Sequence, residues 1–145
     1  MTDTYYVNST DVRKSFSYNL DTAVYRKPLF VRRTHSNIVM VGSELFNSIL
    51  QNVKITVNLS TDEDNTYIAT TDEIDDIIST GDSSESAVAQ LCRDLYEYAV
   101  EYYENYELYS HSSNRSGHLP YIMKILLSTS PEEVRRLLVC RAGEN

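Results

Sequence analysis

Glycine occurs only four times in 145 residues, and nowhere in the spacing of a phosphate-cradling loop or a nucleophile elbow. Cysteine occurs twice, at Cys92 and Cys140. Without a Cys-X-X-Cys pair there is no disulfide framework and no thiolate metal site to read, and a reducing cytoplasm is the expected compartment. The longest apolar runs, such as Ile38-Val-Met-Val41, are far too short to span a bilayer. The opening residues Met1–Tyr6 carry no basic flank and no apolar run, so no export signal and no membrane partner are expected. His35, His111 and His118 fall in loop-like segments without an acid or nucleophile beside them. The acidic clusters Asp62–Asn65 and Asp72–Asp76 lack the spaced ligands and glycine of a calcium loop, which leaves solvated turns. Neither an enzyme nor a cofactor or metal is expected from these residues.

What is present is a charge asymmetry. Residues 1–59 hold seven Lys/Arg against four Asp/Glu, a net of +3, whereas residues 60–145 hold six against 17, a net of −11; together they give the −8 of the chain. A small basic surface in the first part can meet phosphate. The acidic part repels nucleic acid and suits a basic protein partner.

The residue pattern predicts α+β structure. Tyr5–Val7 reads as a strand. A helix follows over Asp11–Tyr25, capped by Ser9 or Thr10, with Val12, Phe16, Leu20, Ala23 and Val24 on one face. Pro28 cannot continue that helix. Leu29–Arg33 and Ile38–Val41 around a polar turn read as a hairpin. Ser43 then caps a helix over Glu44–Leu50 that buries Leu45, Phe46, Ile49 and Leu50. Beyond this, Val53–Leu59 alternates as a half-buried strand, with partners expected at Tyr67–Thr70 and Ile74–Ile78. A long helix spans Ser84–Tyr109, its stripe running through Val88, Leu91, Leu95, Tyr98, Tyr102 and Tyr106. Leu119–Leu127 reads as a helix. Ser130-Pro-Glu-Glu133 opens a last one that buries Leu137, Leu138 and Val139. The composition shift places a boundary near residue 52: a module over 1–52, then an acidic α+β region over 53–145 made of a three-stranded sheet, the long helix and two C-terminal helices.

Residues 5–50 carry a resemblance. Ser9-Thr-Asp-Val-Arg-Lys-Ser-Phe16, Pro28-Leu-Phe-Val-Arg-Arg33 and Ile38-Val-Met-Val-Gly-Ser-Glu-Leu-Phe-Asn-Ser-Ile49, in the order strand–helix–hairpin–helix, resemble the N-terminal half of prevent-host-death/YefM antitoxins. The resemblance implies a homodimer, or a dimer of dimers, that binds operator DNA and represses its own operon. By position, Arg13 matches the family's helix-one arginine and Arg33 its strand arginine, with Lys14 and Arg32 as neighbours. An arginine near a helix start lets backbone amides assist at a phosphate. Where the family usually has glycine in the hairpin, this chain has His35-Ser-Asn37, and Asn37 can take the left-handed conformation instead. Farther on, Tyr67-Ile-Ala69 with Gly81-Asp-Ser-Ser-Glu-Ser-Ala87 is similar to HicB antitoxins, which implies a unit that binds a protein toxin or oligomerises.

Two functions follow. The first is an antitoxin of a type II toxin–antitoxin pair, contacting DNA through Arg13, Lys14, Arg32 and Arg33 and neutralising its toxin through the acidic region. There Tyr103 and Tyr109, off the apolar stripe, are the expected partner contacts, because tyrosine offers wide contact area with a polar tip. The second is an acidic adaptor or immunity-like module that binds protein and not DNA. The two differ in whether Arg13 and Arg33 are free or ion-paired with Asp11, Asp21 or Glu44.

Overall fold

The computed structural model describes residues 5–141; Met1–Thr4, part of the segment read as lacking an export signal, lie outside them. The chain divides into two compact units, residues 1–49 and 50–145.

The first unit runs β1 (Tyr6–Asn8), α1 (Ser9–Lys14), α2 (Phe16–Tyr25), β2 (Leu29–Arg32), β3 (Asn37–Met40) and α3 (Ser43–Ile49). Its sheet has the order β1-β2-β3, with β1 parallel and β3 antiparallel to β2. Period-two alternation sends Leu29 and Val31 to one face, where they pack with Val12 of α1 and with Val7 and Met40. The opposite face pairs Tyr6, Phe30 and Val39 across the three strands.

The single helix expected over Asp11–Tyr25 starts earlier, at Ser9, and kinks at Ser15 (φ −127°, ψ 51°). The kink keeps its ladder: Ser15 N–H donates to the Asp11 carbonyl and Asn19 N–H to the Ser15 carbonyl. The Asn19 side-chain amide adds a second bond to the Ser15 carbonyl, at 2.8 Å. Such side-chain competition for the backbone is what lets a helix bend at a serine. The kink redirects α2, so that of the expected stripe only Val12 and Ala23 are buried while Phe16, Leu20 and Val24 face solvent. α3 likewise buries none of its residues, contrary to the expectation for Leu45, Phe46 and Ile49. Forty-nine residues are too few to cover both faces of a sheet and three helices. Gly42 marks a close approach of two backbones: its N–H donates to the Ala23 carbonyl, and a Cβ there would lie 3.2 Å from the Val24 backbone.

The second unit holds β4 (Ile55–Thr61), β5 (Tyr67–Thr71), β6 (Ile78–Gly81), α4 (Ser84–Glu104), α5 (Tyr106–Ser110), α6 (Leu119–Leu126), α7 (Pro131–Val134) and β7 (Leu138–Cys140). The sheet is four-stranded, order β6-β5-β4-β7, with β7 parallel to β4. Ile55 and Val57 from the sheet meet Val88, Leu91, Leu95 and Tyr102 from α4 and Ile122 and Ile125 from α6 in one core. The Asp62–Thr66 turn is closed by the Asp62 carboxylate, which accepts from the backbone N–H of Asp64 and of Thr66 at 2.9 Å, with Asn65 left-handed at φ 59°.

Two expectations are corrected here. The third strand begins at Ile78, because Ile74 is held in the preceding loop, fully buried, by reciprocal hydrogen bonds with the Thr71 hydroxyl. The last helix stops after one turn, and Leu138–Cys140 becomes a strand filling the free edge of β4, which leaves Val139 exposed. The long helix is N-capped as its sequence demands: the Ser83 hydroxyl accepts from Ser86 N–H and the Ser86 hydroxyl accepts from Ser83 N–H. Gly81 is needed in the turn before it, since a Cβ would stand 2.4 Å from Ala87 N and 2.7 Å from the Ser86 carbonyl carbon. Gly81→Ala is expected to destabilise this unit by about 1–3 kcal/mol through overpacking, read as a lower urea midpoint at unchanged slope.

Candidate nucleic-acid and partner-binding surfaces

Parallel pairing of β1 with β2 sets Asn8 opposite Arg32, so the chain enters α1 at the same end of the sheet at which it leaves β2. Arg32, Arg33 and the start of α1 therefore share one end. Arg13 lies four residues into α1, about 6 Å along the axis at 1.5 Å per residue. All four expected cations, Arg13, Lys14, Arg32 and Arg33, are exposed. Among the described residues neither Arg13 nor Arg33 is ion-paired with Asp11, Asp21 or Glu44.

Their local settings differ from expectation in three ways. Arg13 and Lys14 sit in the last turn of α1, not at its start, because the helix begins at Ser9 and ends at the Ser15 kink. The free amides of α1 are thus a turn away from Arg13. The Arg32 guanidinium stacks on the open sheet face, 4.4 Å from the centroid of Tyr6. The hairpin turn is closed by Arg33 N–H donating to the Ser36 carbonyl at 2.8 Å, and Asn37 is the first residue of β3, so no left-handed residue is used.

In the second unit the tyrosines of α4 and α5 separate into two groups. Tyr102 is fully buried and donates to the Arg115 carbonyl at 3.0 Å, with the rings of Tyr98, Tyr106 and Tyr109 edge-on around it. Tyr98 meets His118 Nδ1 at 2.7 Å; His118 is buried, where a loop position without a partner was expected. Tyr109 is half-buried. Its hydroxyl donates to a Glu101 carboxylate oxygen at 2.8 Å and its ring lies 4.1 Å below the Arg115 guanidinium carbon. Tyr103 is 65 % exposed, so of the two expected partner contacts it alone presents its ring to solvent.

Burial pushes the Tyr98 phenol up to about 12, against a lowering pull from Arg115. A phenol raised in the folded state favours folding fully below its ordinary value of 10, and that contribution is lost as pH rises toward 12. Absorbance titration is expected to show one phenol ionising near that upper limit. Tyr98→Phe should remove this step and flatten the fall of stability between those two pH values.

The acidic stretch after β5 is anchored. Glu73 accepts from the Thr56 N–H and hydroxyl, at 2.8 and 2.7 Å. Asp72 accepts from the Asn58 amide and pairs with Arg141, and these contacts hold its carboxyl below the usual range, the Asn58 bond being the larger cause. The sequence reading of a solvated turn missed these bonds because their donors lie 14 to 69 residues away, on β4 and just past β7.

It also missed an open groove of about 570 Å³ lined by apolar side chains that include Val88, Cys92 and Pro131 and by Glu85, Arg93, Glu132 and Arg135. Three distant segments build it, so no local motif signals it. Burial raises the Cys92 thiol above its ordinary value, the reverse of what an activated nucleophile needs. Among the described residues no three His, Cys, Asp or Glu side chains gather to hold a metal ion, and no helix is long and apolar enough to cross a membrane.

Comparison with known proteins gives two findings and one blank. No curated protein matches the chain. A crystal structure of the antitoxin part of a proposed toxin/antitoxin system from Syntrophomonas wolfei subsp. wolfei superposes with a TM-score of 0.87 at 34 % identity, over 94 % of this chain and 97 % of that one. Residues 3–140 match the PHD-like family, described as antitoxins of RelE/RelB toxin–antitoxin systems. A match over nearly the whole length, with a fold shared end to end, decides the matter: the chain belongs to the PHD-like antitoxin family.

Proposed function

We propose that this antitoxin binds operator DNA as a dimer through residues 1–49, represses its own operon in the cytoplasm, and neutralises a protein toxin through residues 50–145. As a member of an antitoxin family it is a regulatory protein and not an enzyme. The observation that carries the DNA-binding part is the gathering of Arg32, Arg33 and the start of α1 at one end of the sheet, with Arg13 one turn away and, among the described residues, in no ion pair. Arg13 and Arg33, in no ion pair among the described residues, are available to phosphate. Because Arg32 stacks on Tyr6, Arg13, Lys14 and Arg33 are the stronger contacts.

Dimerisation is supported by the surface of the first unit. Phe16, Tyr18, Val24, Tyr25, Val39 and Ile49 are each more than half exposed, against a buried cluster of only Val12, Leu29 and Val31. Apolar exposure on that scale is characteristic of a surface that another chain covers. The second unit is suited to a basic protein by its charge, seven Lys/Arg against 17 Asp/Glu over residues 50–145. The test is a mobility-shift titration of the full chain with DNA from upstream of its own gene at two salt concentrations. Tight, salt-sensitive binding is expected. No binding by a folded dimer would overturn the repressor function and leave the acidic protein-binding module.

A further inference from the structure

β7 fills the edge of β4 only as far as Val57. β4 itself runs on to Thr61, paired with β5 along its other edge. The Val57 carbonyl faces the β7 side and accepts from Arg141 N–H at 3.1 Å, whereas the Thr56 carbonyl faces the β5 side and accepts from Asp72 N–H at 3.1 Å. Backbone direction alternates along a strand. The N–H and C=O of Leu59 and Thr61 therefore face the same way as those of Val57, toward an edge that carries no strand among the described residues. Side chains alternate too. Leu59 follows Ile55 and Val57 onto the α4 side, is 41 % exposed, and lines the open groove with Val88 and Cys92 of α4 and Pro131 of α7. An unfilled run of backbone donors and acceptors thus borders an apolar groove. The groove's own charges balance, Glu85 and Glu132 against Arg93 and Arg135, and select no sign. The sign is set just past Thr61, where the turn carries Asp62, Glu63 and Asp64, all exposed.

We propose that the edge of β4 over Leu59–Thr61 takes up an extended segment of the partner toxin as an added strand, with an apolar side chain of that segment in the groove and a Lys or Arg beside the Asp62–Asp64 turn. The inference rests on residues 50–145 being the toxin-binding unit. Open ladder positions are completed by another extended backbone, which supplies affinity, while alternate side chains entering a neighbouring pocket supply selectivity. A helix or a nucleic acid offers no such ladder. Glu63 and Asp64 are the chief partners of the incoming cation, because the Asp62 carboxylate already closes the turn. A second copy is the other strand a bare edge attracts. Two-fold antiparallel pairing over Leu59–Thr61 would carry each copy's acidic turn toward Val57 of the other, a place that β7 occupies. It would also join two regions of like charge, each with seven Lys/Arg against 17 Asp/Glu over residues 50–145, a net of −10.

The test uses the full chain and two variants. Thr61→Pro removes one edge N–H and leaves the β4–β5 ladder, since proline is tolerated where the N–H faces an open edge; circular dichroism and the urea midpoint check its fold. Glu63→Lys/Asp64→Lys reverses the sign of the turn through exposed side chains. One probe is a fluorescein-labelled ten-residue peptide alternating valine and threonine between terminal lysines, followed by anisotropy, with two versions N-methylated on the valines or on the threonines. The other is the toxin encoded beside the gene, co-expressed and co-purified. Both variants are expected to bind peptide and toxin at least tenfold more weakly. One methylated version should fail while the other binds, because only alternate amides meet the edge. No peptide binding, or equal binding of the two methylated versions, overturns strand addition. Toxin binding unchanged in both variants overturns this edge while the toxin-binding function stands; a wild-type chain that captures no toxin overturns both. Dissociation of a larger oligomer by both variants assigns the edge to a second copy, and peptide binding seen only in a chain ending at Arg141 assigns it to residues 142–145; either result overturns the toxin as occupant.

Discussion

Tyr102→Ala is expected to destabilise residues 50–145 by about 3–5 kcal/mol, the cost of emptying a closed aromatic site. The side chain is fully buried on the inner side of α4, and three tyrosine rings stand edge-on to it with centroids 5.6–6.3 Å away. Edge-to-face pairs add to simple area burial. Two of these neighbours cannot refill the space without giving up a bond of their own: Tyr98 is held by His118, and Tyr109 by Glu101 and Arg115. Tyr102→Phe separates the hydroxyl from the ring. It keeps the packing and removes one of the two donors to the Arg115 carbonyl, which still accepts from His118 N–H, at a cost of about 0.5–1.5 kcal/mol. Urea unfolding followed by tyrosine fluorescence reads both. An alanine variant within about 1 kcal/mol of wild type, well inside the spread of ordinary surface changes and small core changes, would mean that the tyrosine cluster is not a packed core.

The elements that were legible in the sequence are those whose signals are local. Ser83 and Ser86 cap α4, Ser130-Pro131 starts α7, and Asp62 closes its turn, each through bonds spanning no more than four residues. Gly81 stood in a recognisable turn, although the reason only glycine fits, the Ala87 backbone nitrogen, required the fold. The misreadings share a cause. Periodicity assigns residues to a side of a helix on the assumption that the helix is straight and its apolar side buried within the chain. Ser15 breaks the first assumption for α2. The small size of the first unit breaks the second for α2 and α3, whose apolar side chains remain outside. Leu137–Val139 looked like the inner side of a helix because three apolar residues in a row carry no period; the vacancy beside Ile55–Val57 decided that Leu138 and Val139 belong to a strand. For the candidate sites the same division holds. The basic residues could be named from the order of elements. Their grouping at one end of a sheet depended on a parallel register between strands more than 20 residues apart.

That register makes a sharper demand on the DNA-binding proposal than charge alone. Arg13→Ala/Arg33→Ala removes two cations per protomer and four per dimer. If all four meet phosphates of B-form DNA, the log–log salt slope should become shallower by about 3–4, and operator affinity should fall by at least about 100-fold at low salt. Lys14→Ala, one cation per protomer, should move the slope about half as far or less. Arg32→Ala should leave the slope nearly unchanged and act instead on the open face of the sheet, where its guanidinium covers Tyr6. Both arginines are exposed and, among the described residues, neither is ion-paired with a carboxylate, so thermal stability of the double variant should stay within about 0.5 kcal/mol of wild type. The slope separates two explanations of a weakened complex. Affinity lost with a shallower slope assigns the arginines to phosphate. Affinity lost at an unchanged slope assigns them to assembly of the dimer, and the phosphate contacts would then have to come from Lys14 or from the Arg26-Lys27 pair at the end of α2.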